Sequence, residues 1–151
     1  MSDLTDLYQE VILDHNRAPR NYGTLPDANR QARGHNPLCG DRLTISLRIV
    51  DDRIDDVRFE GSGCAISKAS ASLMTEAVKG HPLATAEALF TRFHAMVTGP
   101  SDAPAQDAGM GKLAALAGVR EFPVRIKCAS LAWHTLKAAI ASSGAPTVTT
   151  E

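Results

Sequence analysis

The sequence predicts one α+β domain in which a small antiparallel three-stranded sheet is covered by helices. Two observations predict the sheet: the stretch LTISLRIV alternates apolar and polar residues, and a second alternating stretch follows an Asp-Asp-Arg turn. A third observation predicts the helices, because apolar residues in the second half recur at helical spacing. A chain of 151 residues without internal repeats most simply forms a single domain over 1–151.

The first half of the chain predicts one helix and then the strands. Residues 3–16 carry apolar side chains such as Val11 and Ile12 on one face, which indicates an amphipathic helix. Residues 20–38 are polar and rich in turn formers, with one short edge strand expected around Arg30 to Gly34. In the next strand, one face consists of the alternating apolar residues Leu43, Ile45, Leu47 and Ile49. This meander has one polar face, so helices are expected to cover the other.

The second half predicts helices separated by glycine- and proline-rich connections. Gly80 and Gly99 are suited to end helices, and Thr85 is suited to begin one. The stretch GPSDAPAQDAG predicts a mobile loop over 99–109, and residues 144–151 predict a disordered tail. In order, helices are expected over about 63–79, 85–98, 112–117 and 123–142.

Composition and charge exclude several classes of function. Hydrophobic content of 44% and charged content of 22% are ordinary for a water-soluble domain. The net charge of −1 gives no reason to expect nucleic acid or a membrane surface as a partner, and no apolar run is long enough to cross a bilayer. The acidic N-terminus does not resemble a secretory signal. Three cysteines cannot all pair, so we expect a reducing cytoplasm with free or metal-bound thiols.

Each of the three cysteines lies where a loop meets a predicted element. Cys39 precedes the first long strand, whereas Cys64 and Cys128 are expected in the first turns of helices. Unpaired N–H groups and a partial positive charge at a helix N-terminus favour thiolate over thiol. Gly61 and Gly63 are expected to let the backbone turn and to leave room beside the Cys64 sulfur.

Cys39 and Asp41 add a carboxylate to the set of thiols. In an extended segment, residues i and i+2 point to the same side, so both side chains could reach one ion. With Cys64 and Cys128 they would complete a tetrahedral zinc site, although isolated cysteines can equally be small buried residues. Such a site carries a net charge of roughly −2, which Arg125 and Lys127 could offset. His35 is an alternative ligand, but histidines in loops are usually solvated.

The motifs NPLCGDR, FEGSGCAIS and EFPVRIKCASLAW resemble the SufU branch of the IscU/NifU-N-like family, which serves iron–sulfur cluster assembly. The resemblance extends from YQEVILDHNRAPRN to the last helix. It implies an IscU-like fold and zinc binding by Cys39, Asp41, Cys64 and Cys128. IscU-type scaffolds have a histidine directly before the third cysteine, but this chain has Lys127 there. A lysine ammonium has no lone pair, which favours the SufU branch.

The resemblance further implies a zinc-dependent sulfurtransferase that accepts persulfide sulfur from a SufS-type cysteine desulfurase and passes it to downstream SUF scaffold proteins. We expect Cys39 to be the acceptor, because its loop contains the flexible Gly40. Arg125 would orient Asp41 or steady the anionic persulfide, or be an ordinary solvated side chain. Two alternatives stay open: a scaffold that assembles a [2Fe–2S] cluster on the same cysteines, and a zinc-binding module without sulfur transfer.

Overall fold

The computed structural model describes residues 2–37, 39–98, 112–113, 115–116, 119, 122–141 and 147–149. The elements follow in chain order as α1 (Ser2–Arg17), β1 (Arg30–Asn36), β2 (Asp41–Val50), β3 (Arg53–Ser62), α2 (Ala65–Val78), α3 (Leu83–Thr98), α4 (Pro123–Ala141) and β4 (Thr147–Thr149). The predicted α+β class, with an antiparallel three-stranded meander covered by helices, is confirmed.

The sheet has the strand order β3-β2-β1-β4. Both hairpins are antiparallel, and the turn between β2 and β3 places Asp51 and Asp52 at φ of 53° and 60°. Left-handed residues at both central positions give a two-residue hairpin turn whose twist matches that of the strands. The short strand β4 pairs with β1 in parallel.

One face of the sheet is buried under helices. The alternating side chains Ile45, Leu47, Val57 and Phe59 are fully buried, as the period of two predicts. The helix α4 packs on β1 and β2, α2 packs on β3, and α1 packs on α2. Trp133 of α4 stacks on Phe93 of α3 with ring centroids 4.7 Å apart, which extends the core between these helices.

The helix α4 lies very close to β1, because β1 has a glycine at the crossing. A Cβ atom on Gly34 would clash with Thr135 Oγ1 and lie 3.0 Å from Leu131 Cδ1. The absence of a side chain therefore allows the closest approach of helix to strand. This contact brings the N-terminal half of α4 to the end of β1, where the turn with Cys39 begins.

Several predictions about element boundaries change. The strand predicted at 30–34 is not an edge strand, because β4 pairs on its outer side. Within the segment 144–151, for which we expected a disordered tail, Thr147–Thr149 form the strand β4. Thr85 is not the N-cap of α3, which begins at Leu83 after Pro82. The loop predicted at 99–109 lies outside the described residues.

Within the part of the chain that the structure describes, no helix is both long and apolar enough to cross a membrane.

Candidate metal centre

Cys39 lies in the turn between β1 and β2, and its side chain is exposed. The Gly40 N–H donates to the carbonyl oxygen of Asn36 at 2.8 Å, which closes the turn. Gly40 has a φ of 74°, a backbone conformation that favours glycine. The prediction of an extended Cys39-Gly40-Asp41 segment is therefore wrong: the turn, not the strand repeat, brings Cys39 and Asp41 together.

Asp41 is the first residue of β2, and its side chain is fully buried. Its Oδ1 accepts a 2.8 Å hydrogen bond from the backbone N–H of Cys64, and its Oδ2 accepts one of 3.1 Å from Asn36 Nδ2. Hydrogen bonds to a carboxylate are stronger than those between neutral groups, and a buried carboxylate without them would be costly. Asp41 thus joins β2 to the start of α2 while one oxygen still faces the sulfurs.

Cys64 is the N-cap of α2, not a residue of its first turn as predicted. Its sulfur accepts a 3.4 Å hydrogen bond from the Ser67 N–H, as serine or aspartate oxygens do at other helix starts. Gly61 and Gly63, which precede Cys64, lie so close to neighbouring residues that neither position has room for a side chain. A side chain at Gly63 would clash with Asp41, and one at Gly61 would clash with the Arg42 carbonyl oxygen. The room expected beside the sulfur is thus filled by Asp41.

Cys128 is the sixth residue of α4 and is 1% exposed. It lies in the second helical turn, beyond the first turn in which the positive end of the helix dipole acts. Burial raises the pKa of the Cys128 thiol, and its hydrogen bonds with Cys39 and Asp41 raise that pKa further. The prediction that places Cys128 in the first turn of its helix is therefore wrong, and in the metal-free protein desolvation opposes the charged form of its thiol.

The structure brings these side chains together from three places in the fold. The ligand atoms of Cys39, Asp41 and Cys128 all lie within 4.8 Å of one another, and the Cys39 and Cys128 sulfurs are 3.3 Å apart. The Cys64 sulfur lies 4.0 Å from Asp41 Oδ2, although Cys64 is not part of this group of three. All three cysteines are free rather than disulfide-bonded.

Two of these separations lie close to those expected between ligands of a tetrahedral zinc ion. Zinc bonds of about 2.3 Å to sulfur and about 2.0 Å to oxygen place two sulfurs roughly 3.8 Å apart, and a sulfur and an oxygen roughly 3.5 Å apart. The observed 3.3 and 4.0 Å each differ from these values by about half an ångström. Three sulfurs and one carboxylate oxygen are also the donor types that zinc binds in proteins.

An open pocket of about 540 Å³ leads to this cluster. Cys39, Cys64 and Cys128 form its floor, and Phe122 and Val124 line its wall with about half of each side chain exposed. The Arg125 guanidinium lies 5.5 Å from the centre of the Phe122 ring. The orientation of Asp41 is accounted for by Cys64 and Asn36, so the role predicted for Arg125 in orienting Asp41 has no contact to support it. Its predicted role at an anionic sulfur stays a prediction.

Two further residues differ in how they relate to the cluster. His35, the alternative ligand, is half-buried on β1 opposite Arg42 and lines a different pocket. Asn36 is in contact with the cluster but was missed by sequence reasoning. One feature of the sequence could have indicated this role for Asn36: it directly precedes Pro37, at the end of a predicted strand that leads to Cys39.

The chain matches the family model described as the NifU-like N-terminal domain over residues 7–145. It is 42% identical over 140 residues to the zinc-dependent sulfurtransferase SufU of Bacillus subtilis, which covers 93% of each chain. It is 43% identical over 143 residues to the iron-sulfur cluster assembly scaffold protein IscU of Streptococcus pyogenes, covering 95% of this chain and 88% of the relative.

A solved structure has the same fold. The putative iron-sulfur cluster assembly scaffold protein for the SUF system from Fervidobacterium islandicum superposes with a TM-score of 0.80 at 32% identity, covering 87% of this chain and 94% of that one. The match of the family model over most of the chain and the similarity of the whole fold agree with each other. The chain therefore belongs to the NifU-like N-terminal domain family, as its cysteine motifs predicted.

Proposed function

We propose that the protein is a zinc-dependent sulfurtransferase that accepts persulfide sulfur from a SufS-type cysteine desulfurase for iron–sulfur cluster assembly. The observation that carries the proposal is the convergence of the ligand atoms of Cys39, Asp41 and Cys128 within 4.8 Å of one another, beside an open pocket that the two cysteines line. The identity of 42% to a relative named as a zinc-dependent sulfurtransferase supports the same assignment.

Cys39, Asp41, Cys64 and Cys128 would hold the zinc ion. A bound zinc ion keeps coordinated cysteine sulfurs deprotonated near neutral pH. This matters most for Cys128, whose pKa burial raises when no metal is present. The residues of the chain supply the rest: the turn carries Cys39, and the Cys64 N–H and the Asn36 amide orient the carboxylate of Asp41.

Cys39 would be the sulfur acceptor. Its side chain is exposed in the pocket, whereas Cys128 is buried and Cys64 is tied to the start of α2. The Cys39 thiolate attacks the outer sulfur of the desulfurase persulfide, the bond between the two persulfide sulfurs breaks, and the desulfurase cysteine leaves as a thiolate. The product is a persulfide on Cys39, with no net oxidation or reduction. Arg125, exposed on the pocket wall, would steady its negative charge.

The pocket wall suggests where the desulfurase would dock. Phe122 and Val124 are about half exposed beside the sulfurs, so a partner could cover an apolar surface while its persulfide reaches Cys39. The next recipients would be SUF scaffold proteins in the cytoplasm.

A second candidate function is a scaffold on which a [2Fe–2S] cluster is assembled and transferred. It is favoured by the 43% identity to a relative named as an IscU scaffold protein. Lys127 argues against it, because the residue before Cys128 cannot serve as a fourth cluster ligand beside the cysteines.

The test combines the purified zinc-loaded protein with a SufS-type desulfurase and cysteine, and measures alanine formation. We expect stimulation by the wild-type protein, a persulfide on the Cys39 peptide in mass spectrometry, and loss of both in Cys39→Ser. Zinc content measured in parallel should be partly retained in Cys39→Ser. Absence of stimulation by the wild-type protein would leave a zinc-binding module without sulfur transfer. A stable, transferable visible chromophore after anaerobic reconstitution with iron and sulfide would instead support the scaffold.

A further inference from the structure

Asn36 connects the backbone of the Cys39 turn to the strands around it. It is the last residue of β1, and it is the register partner of Asp41, the first residue of β2. Its carbonyl oxygen accepts the Gly40 N–H at 2.8 Å. The main chain of Asn36 therefore fixes where the turn that carries Cys39 begins and closes.

The side chain of Asn36 contacts two ligands of the candidate site from a fully buried position. Its Nδ2 donates to Asp41 Oδ2 at 3.1 Å and to Cys128 Sγ at 3.4 Å. A primary amide nitrogen has two hydrogens, so it can serve two acceptors at once. The two acceptors belong to β2 and to α4, which are otherwise distant in sequence.

We propose that Asn36 is a positioning residue of the metal centre, whose amide sets Asp41 and Cys128 in their binding arrangement. The inference rests on the proposed function in taking Cys39, Asp41 and Cys128 as metal ligands. Ligand groups are commonly oriented by hydrogen bonds from groups that do not touch the metal, and losing such a partner weakens metal binding. Here one amide does this for two ligands on two different elements.

The amide also suits the charge of the site. Three thiolates and a carboxylate around a divalent ion leave a net charge of roughly −2, which neutral N–H donors stabilise without adding a charge. A carboxylate at the same position would add a further negative charge and remove both donated hydrogen bonds. Asparagine and aspartate have almost the same shape, so Asn36→Asp separates donor chemistry from packing.

The hydrogen bond to sulfur has a consequence for reactivity within the proposed mechanism. Donation to the Cys128 sulfur draws electron density from it and makes that sulfur a poorer nucleophile. The sulfur of Cys39 lies on the exposed side of the cluster, where an incoming persulfide would arrive. Asn36 would thus help to direct sulfur transfer to Cys39 rather than to Cys128.

The experiment titrates zinc and cobalt(II) into the metal-free full-length chain and its variants Asn36→Ala and Asn36→Asp. Zinc affinity is measured against a chromophoric chelator, and the coordination geometry is read from the cobalt(II) absorption bands. The matched control is Asn29→Ala, which removes an asparagine that also makes two hydrogen bonds, to the backbone N–H and carbonyl oxygen of Ile49. Circular dichroism of each metal-free variant checks that the fold is kept.

We expect Asn36→Ala and Asn36→Asp to lose about 10- to 100-fold in zinc affinity. Their cobalt(II) spectra should also shift relative to the wild type, whereas Asn29→Ala should match it. If the Asn36 variants had the zinc affinity and the cobalt(II) spectra of the wild type, the positioning role of Asn36 would be refuted and the proposed function would be unaffected. If Asn36→Ala does not fold, the test rests on Asn36→Asp. A zinc affinity of Asn36→Asp equal to or tighter than that of the wild type would then refute the role of the Asn36 amide as a hydrogen-bond donor. A wild-type chain without zinc affinity would overturn both this inference and the metal site in the proposed function.

Discussion

Gly63→Ala directly tests the contact between the start of α2 and the carboxylate of Asp41. Gly63 has a φ of 153°, a backbone conformation that residues with a side chain rarely adopt. A Cβ atom added to Gly63 would lie 3.0 Å from both Cβ and Cγ of Asp41 and closer still to its Oδ1. Asp41 cannot yield easily, because it is fully buried and is bonded to the Cys64 N–H at 2.8 Å. The substitution should therefore break this hydrogen bond and displace a candidate ligand.

Two contributions set the expected magnitude. Forcing a residue with a side chain into this backbone conformation costs about 1–3 kcal/mol. Disturbing a buried hydrogen bond to a carboxylate costs about 1.5–3 kcal/mol more. We therefore expect the free energy of unfolding of the metal-free protein to fall by about 2.5–6 kcal/mol, and zinc affinity to fall by about 10- to 100-fold.

The assay is urea unfolding of the metal-free protein, together with zinc competition against a chelator. Gly23→Ala is the matched control, because Gly23 has a φ of 130° but no atom within 4 Å of an added Cβ. It should share the backbone cost of about 1–3 kcal/mol and leave zinc affinity unchanged. If Gly63→Ala and Gly23→Ala behaved alike in both measurements, the contact of Gly63 with Asp41 would not contribute to the site.

Two further predictions concern the packing of the helices. The buried His15 has its Nδ1 2.7 Å from Ser72 Oγ, and burial lowers the pKa of its imidazole. Neutral His15 therefore contributes fully to the stability of the fold above pH about 6.5, and this contribution is lost as the pH falls below that value. His15→Gln should flatten the decline of the urea midpoint between about pH 6.5 and pH 5, and an unchanged decline would contradict this assignment. Trp133→Ala should cost about 3–5 kcal/mol because the ring is buried against Phe93. Trp133→Phe should cost less than half as much in the same unfolding assay, because the indole N–H has no hydrogen-bond partner among the described residues; equal costs would refute this reasoning.

Local patterns were sufficient for most of the fold. The alternation of Leu43, Ile45 and Leu47 predicted a strand with one buried face, because side chains two residues apart in a strand point to the same side. Ala129, Trp133 and Leu136, which recur at helical spacing, are likewise buried in α4. The fourth strand was not predictable, because Thr147–Thr149 is too short to show a pattern and its pairing depends on the exposed side of β1.

For the candidate site, too, the sequence predicted some features and not others. Its residue types could be chosen from the sequence, since the three cysteine motifs resemble those of a family in which the corresponding thiols and carboxylate bind zinc. The reasons given for two of them were wrong, because local geometry was assumed. A turn with Gly40 in the left-handed conformation, not an extended strand, brings Cys39 to Asp41. For Cys128, burial has a larger effect on the pKa of the thiol than the helix terminus.

The sequence by itself determined the fold class, the family and the chemical types of the candidate ligands, because these depend on periodicity and on residue identity. Only the tertiary structure decided which sulfurs meet, which of them is exposed, and that Asn36 donates to Asp41 and Cys128. The physical reason is that these contacts depend on α4 crossing β1 at Gly34. Such a crossing joins residues far apart in the chain, and no local pattern encodes the distance between them.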